Sequence, residues 1–172
     1  MMKILILMRH AKSSWDEPGL ADRDRPLTGR GRKAAPRVAR ELVERKLVPD
    51  LVLTSDAARA RQTWDAMAHA LPNGLEARVL RSLYPGSPSR ILSVLAHLPA
   101  DAERVLIISH NPGLETLARR LVADGDKQAR AALEDKFPTA AAAVLEFKGK
   151  AWPDFADARG RLRAFLRPRE LS

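Results

Sequence analysis

The stretch Ile4-Leu5-Ile6-Leu7-Met8-Arg9-His10 sets five apolar residues directly before a cation and an imidazole. Two similar runs follow, Leu51-Val52-Leu53 and Val105-Leu106-Ile107-Ile108, the second ending at Ser109-His110. Short apolar runs bounded this way read as buried strands, and the longer segments between them carry a helical period. This alternation predicts an α/β protein, a three-layer αβα sandwich whose central sheet is mostly parallel, with helices on both faces. Strands are expected over about 3–9, 50–54, 77–81, 104–109 and 142–148, with a last one over 162–166 on a sheet edge. Helices are expected over about 29–47, 57–71, 87–98 and 113–123, with a further one over 127–136. Thr28 is placed to cap the first helix, whose buried face would carry Ala35, Val38, Leu42 and Val43. Residues 13–26 follow neither period and read as a loop at the mouth of a site.

At 172 residues the chain fits one domain, residues 1–172. It has no cysteine, which excludes disulfides and thiolate metal sites. The first apolar run is shorter than a signal-peptide core, and no stretch approaches the roughly 20 apolar residues of a membrane span. A cytoplasmic protein without membrane attachment is therefore expected. The net charge of +9 suits either a nucleic-acid binder or an enzyme for anionic substrates. Basic residues gather in 23–45 and 148–169, but aromatic residues are only 5% and no nucleic-acid motif accompanies them. A substrate-attracting field is the better reading, and a nucleic-acid partner is not expected. Gly29-Arg30-Gly31-Arg32-Lys33 follows no strand and lacks the lysine-serine ending of a phosphate-binding loop, so it reads as a helix start.

In open α/β sheets ligands bind at the carboxyl edge. That edge would collect Arg9 and His10 from the first strand, His110 from the fourth, and Arg59 from the helix after the second. Such a set suits phosphoryl transfer, in which negative charge spreads over the equatorial oxygens and must meet convergent positive groups beside an in-line nucleophile. Arginine forks match two phosphate oxygens at once, and neighbouring cations favour the neutral imidazole that attacks.

Leu7-Met8-Arg9-His10-Ala11-Lys12-Ser13 resembles the nucleophile signature of the histidine phosphatase superfamily, which includes cofactor-dependent phosphoglycerate mutase. Leu27-Thr28 with Gly31, Ser55 to Thr63, and Ile108-Ser109-His110-Asn111 resemble its further motifs, in the family's order. The R-H-A-K-S-S-W sequence, Asp24 to Thr28 and His110 to Leu114 are most similar to the small SixA-type phosphohistidine phosphatase branch. The resemblance implies His10 as a nucleophile that becomes phosphorylated, with Arg9, Arg59 and His110 around the phosphoryl group. It also implies Ser13 and Asn111 in substrate binding, with neither cofactor nor metal. The implied partner is a phosphorylated protein or a small phosphorylated compound, acted on by a chain that can be a monomer. The alternatives are a small-molecule phosphomonoesterase of the same superfamily and a phosphoprotein-binding module without catalysis. The four intact residues argue against the latter.

The pattern departs from the family in two places. Phosphomonoesterases of the superfamily carry a glutamate soon after the third strand, whereas Arg81 to Ser87 holds no carboxylate. Asp22, Asp24 and Glu115 are the substitutes as acid, each with a plainer reading as a surface or helix-start residue. Phosphohistidine needs little acid assistance, because it departs as neutral imidazole. Asp16 stands where the mutases carry asparagine, and tolerating it beside phosphate would require an arginine such as Arg23 or Arg25. His69 and His97 read as structural, Ser55 and Ser109 as strand-end packing, and Trp15 as a wall of the mouth.

Overall fold

The computed structural model describes residues 1–72 and 74–172. Among these, seven strands form one sheet: β1 (Met2–Arg9), β2 (Leu51–Ser55), β3 (Arg78–Leu80), β4 (Arg104–Ser109), β5 (Val122–Gly125), β6 (Ala142–Lys148) and β7 (Gly160–Leu166). Five α-helices cover it: α1 (Gly29–Glu44), α2 (Ala58–Ala68), α3 (Pro88–Ala96), α4 (Gly113–Leu121) and α5 (Lys127–Asp135). The strand order is β3-β2-β4-β1-β6-β7-β5. The first four strands in this order are parallel, β6 runs antiparallel to both neighbours, and β5 is parallel to β7. No described helix is long and apolar enough to cross a membrane.

Alternation along β1 builds two cores. Leu5 and Leu7 face one layer with Ile91, Leu95, Leu114, Leu117 and Leu133 of α3, α4 and α5. Ile4, Ile6 and Met8 face the other with Val38, Leu42, Trp64 and Met67 of α1 and α2. Each fully buried leucine or isoleucine contributes about 1.5–3 kcal/mol as an upper bound, so a strand buried on both faces anchors the fold and fixes where Arg9 and His10 emerge.

Helix α1 starts where the sequence indicates, with the Thr28 side chain accepting from Gly31 N–H at 3.0 Å. Pro36 lies inside it without ending it. The helix stops at Glu44 rather than 47, because Lys46 turns into the left-handed region at φ 59° and Leu47 N–H closes back on Leu42 O. Val43, expected on the buried face, is exposed.

The larger correction concerns α4 and the sheet edge. The helix ends at Leu121, and Val122–Gly125 pairs with β7, so the edge strand is β5 and β7 is interior. A strand reading Val-Ala-Asp-Gly has no apolar run or alternation to announce it. Gly125 is required there: at φ 137° it passes Leu162, whose carbonyl oxygen would lie 2.3 Å from an added Cβ.

Candidate active site

The carboxyl ends of β1, β2 and β4 lie side by side, and the site is built on them. Parallel register sets Arg9 beside Ser109, so His10 and His110 leave adjacent strands together, their ring centroids 5.1 Å apart. Both imidazoles are buried.

His10 is held by its own backbone. Its Nδ1–H donates to Ala11 O at 2.7 Å, which assigns the proton to Nδ1 and leaves a lone pair on Nε2. The Ala11 amide is fixed in turn by Thr63 Oγ1 at 2.9 Å, and Thr63 donates to Arg59 O at 2.7 Å. The nucleophile candidate and Arg59 are thus tied to one another through α2.

Arg9 donates through NH1 to Phe137 O at 3.1 Å. Arg59 gives NH1 to Asp22 O at 2.7 Å and NH2 to Asp22 Oδ2 at 2.9 Å. His110 Nε2 lies 2.6 Å from Ser55 Oγ, which already accepts from the Ala57 amide. A Ser55 hydroxyl that donates to Nε2 leaves the neutral ring's proton on Nδ1, the tautomer in which His110 can offer a donor to an anion. At the site Arg9 Nε, Arg59 Nε and His110 Nδ1 are buried without a partner, as is the acceptor Asn111 Oδ1. Unsatisfied buried donors are costly, and an anion bound among them would satisfy them.

The electrostatics follow from the same packing. Burial pushes His10 down to about 4, reinforced by Arg59, Arg9 and Arg25 and opposed by the Ala11 carbonyl. Burial takes His110 down to about 3, with His10 and Arg59 adding to it. Both rings are neutral at pH 7. Burial also lowers the Arg9 guanidinium. Asp22 sits well below the usual carboxylate range, held there by the Tyr84 hydroxyl and by Arg59 and Arg25. Ionised at neutral pH, it has no proton to give. Tyr84 is pushed up by the same bond to Asp22.

Among the residues singled out from sequence, Arg9, His10, Arg59 and His110 come together, and Asp22 joins them through Arg59. Asn111 lies alongside, its Nδ2 donating to the Phe137 carbonyl that Arg9 also uses. Ser13 faces Arg25, accepting from NH1 at 2.9 Å. Glu115 pairs with Arg119 at 3.7 Å and its charge reaches Arg9. Asp24 is exposed and makes no side-chain contact with the site among the described residues. Asp16 is exposed, and the arginines offered as its partners go elsewhere, Arg23 to Asp56 and Arg25 to Asp22. Trp15 is exposed with its ring stacked on Arg25 at 3.5 Å, so it braces the mouth from outside.

Read from sequence alone, Thr63 and Tyr84 have no role, Arg25 has only that of a partner for Asp16, and Ser55 only that of strand-end packing. Tyr84 donates to Asp22 Oδ2, and its ring and that of His110 lie nearly perpendicular with centroids 5.2 Å apart. It lies in the Arg81 to Ser87 segment, which holds no carboxylate. Ser55, expected to serve only in strand-end packing, instead meets His110 Nε2 at 2.6 Å.

The model of the histidine phosphatase superfamily (branch 1) matches residues 5–84. An uncharacterized protein of Mycobacterium tuberculosis is 34% identical over 166 residues, covering 94% of this chain and 100% of its own. A SixA structure from Nakamurella multipartitia is 34% identical with a TM-score of 0.84, over 98% of this chain and 97% of that one. The protein histidine phosphatase SixA complexed with tungstate is 26% identical with a TM-score of 0.77, over 100% of both chains. The chain belongs to the histidine phosphatase superfamily, and within it to the SixA branch. It is a phosphatase.

Proposed function

We propose that this phosphatase hydrolyses phosphohistidine on a protein, with His10 as nucleophile and Arg9, Arg59 and His110 as the groups that hold the phosphoryl oxygens. The observation that carries the reading is a buried neutral imidazole whose Nδ1 is tied to Ala11 O, with Arg9 and Arg59 near enough to depress it and the His110 ring 5.1 Å away. A related SixA takes up tungstate, a tetrahedral oxyanion like phosphate.

In the first displacement the His10 Nε2 lone pair forms a bond to phosphorus. The bond to the substrate's imidazole nitrogen breaks, and its electron pair leaves on that nitrogen. With its other nitrogen protonated, the leaving group departs neutral and needs no acid. In the second displacement water attacks phosphorus and the His10–phosphorus bond breaks. Because Nδ1 kept its proton, His10 is released as neutral imidazole, and water plus the phosphoryl group makes dihydrogen phosphate. The arginines and His110 stabilise the charge that spreads over the equatorial oxygens in both steps, each such donor being worth roughly 10²–10³ in rate.

Trapping tests it. Wild type should form an acid-labile, base-stable phosphoryl adduct that is absent from His10→Ala, and should turn over phosphohistidine faster than an alkyl phosphate. Normal turnover by His10→Ala, or the reverse substrate ranking, overturns the reading.

A further inference from the structure

The net charge of +9 exceeds what the site itself uses, and the structure shows where the excess collects. A cavity of about 430 Å³ lies beside the site, lined by Lys12, Arg30, Lys33 and Arg37 from the segment after β1 and from α1. Lys136, Arg167 and Arg169, from the ends of α5 and β7, line it too, and Asp135 is its one carboxylate. Two basic segments far apart in sequence thus become one surface. Antiparallel pairing does this: Met8 of β1, Ala142 of β6 and Leu166 of β7 lie in register across the sheet. The ends of β1 and β7 therefore emerge two strand spacings apart, about 10 Å. The final turn is held against α1, with Arg40 donating to Ser172 O at 3.3 Å.

The cleft and the site share a wall. Lys12 is two residues beyond His10, and Pro138 and Thr139, which line the cleft, directly follow Phe137, whose carbonyl takes the Arg9 and Asn111 donors. Lys12, Arg30, Lys33 and Arg37 make no side-chain hydrogen bond or ion pair among the described residues, nor do Lys136 and Arg169. Arg167 pairs with Glu170, yet its Nε is buried without a partner. Like charges gathered around a concavity, with only Asp135 in the lining and Glu170 on Arg167 as counter-charges, form a field that a partner's anions would neutralise.

We infer that this cleft docks the acidic surface of the phosphorylated protein, seating its carboxylates beside the phosphohistidine presented to His10. The inference rests on the phosphohistidine reading and adds what kind of protein surface is accepted. An extended acidic segment entering beside Arg9 crosses the ends of β1, β6 and β7 and meets the cations in turn. Guanidinium groups at Arg30 and Arg37 supply paired donors for carboxylates.

The experiment compares a short phosphohistidine peptide rich in Asp and Glu, the same peptide with Ser in their place, and free phosphoramidate. Wild type should favour the acidic peptide by about tenfold or more in kcat/KM, with the advantage shrinking as salt rises. Arg30→Glu/Lys33→Glu/Arg37→Glu should lose that advantage and keep phosphoramidate turnover within about twofold. Lys136→Glu/Arg169→Glu should do the same, which covers a folding defect in either variant. Binding of the unphosphorylated acidic peptide, read by fluorescence anisotropy, does not depend on turnover and separates failure of docking from failure of the phosphohistidine reading. Equal kcat/KM and equal binding for the acidic and Ser peptides would overturn the proposal. So would tighter binding of single-stranded RNA than of the acidic peptide, which would make the cleft a nucleic-acid site.

Discussion

Lowering the pH from 7 to 5 should destabilise this protein by about 4 kcal/mol, nearly all of it through His10 and His110. Both rings are buried and neutral, with native values of about 4 and about 3, against 6.5 for an exposed histidine. At pH 5 the native state therefore still binds neither proton, while the unfolded chain binds nearly both. Unfolding takes up protons, so stability falls as pH falls below 6.5. Each ring contributes RT ln(1 + 10^(6.5 − pH)), which is about 2 kcal/mol at pH 5 and about 0.2 kcal/mol at pH 7. The result is insensitive to how far each value is depressed, because it requires only that both rings stay neutral at pH 5. Carboxylates add little, since few are protonated at pH 5 in either state. Urea unfolding at pH 7, 6 and 5 measures the loss directly. The variant His10→Gln/His110→Gln should lose under about 1 kcal/mol over the same range. If wild type loses no more than the double variant, the neutral buried pair, and with it the neutral nucleophile, is refuted.

Arg59→Ala should lower kcat on phosphohistidine by roughly 10²–10³, read by steady-state kinetics, because it removes a preorganised donor. Asp22→Asn should tighten inhibition by inorganic phosphate or tungstate by about tenfold, since the ionised carboxylate now holding Arg59 NH2 competes with any incoming anion. Ser55→Ala should cost about tenfold in kcat with little change in KM, and the ¹⁵N shifts of His110 should show loss of the Nδ1–H tautomer, because Nε2 loses its donor. Gly113→Ala should destabilise by about 1–3 kcal/mol in urea, as its Cβ would stand 2.1 Å from Gly86 O.

The site was more legible in the sequence than the fold around it. Arg9, His10 and His110 each end a strand buried on both faces, and such strands show as unbroken apolar runs, so burial and chemistry carried the same mark. Arg59 was visible for its place at the start of a helix. The loop residues had no such mark. Asp22, Arg25 and Tyr84 meet through one loop and a 3₁₀ turn, and nothing periodic relates positions 22, 25 and 84. Strand β5 was hidden because an edge strand half in solvent needs little apolar content. The basic segments were noticed, but only the register of β6 and β7 shows that they face one cavity.

That loop also bears on the choice of substrate. The segment Arg81 to Ser87 holds no carboxylate, and its Tyr84 hydroxyl is committed to Asp22 and made harder to ionise by it. Asp22 is ionised, held down by Tyr84 and the arginines, and Glu115 is paired with Arg119. Neither Asp22 nor Tyr84 is suited to protonate a departing alkoxide at neutral pH, Asp22 for want of a proton and Tyr84 for want of acidity. A leaving group that carries its own proton escapes that requirement, and a phosphoimidazole protonated on its free nitrogen is one. The network of Asp22, Tyr84 and Arg25 orients Arg59, and under the proposed mechanism turnover of alkyl phosphates should fall below that of phosphoimidazoles.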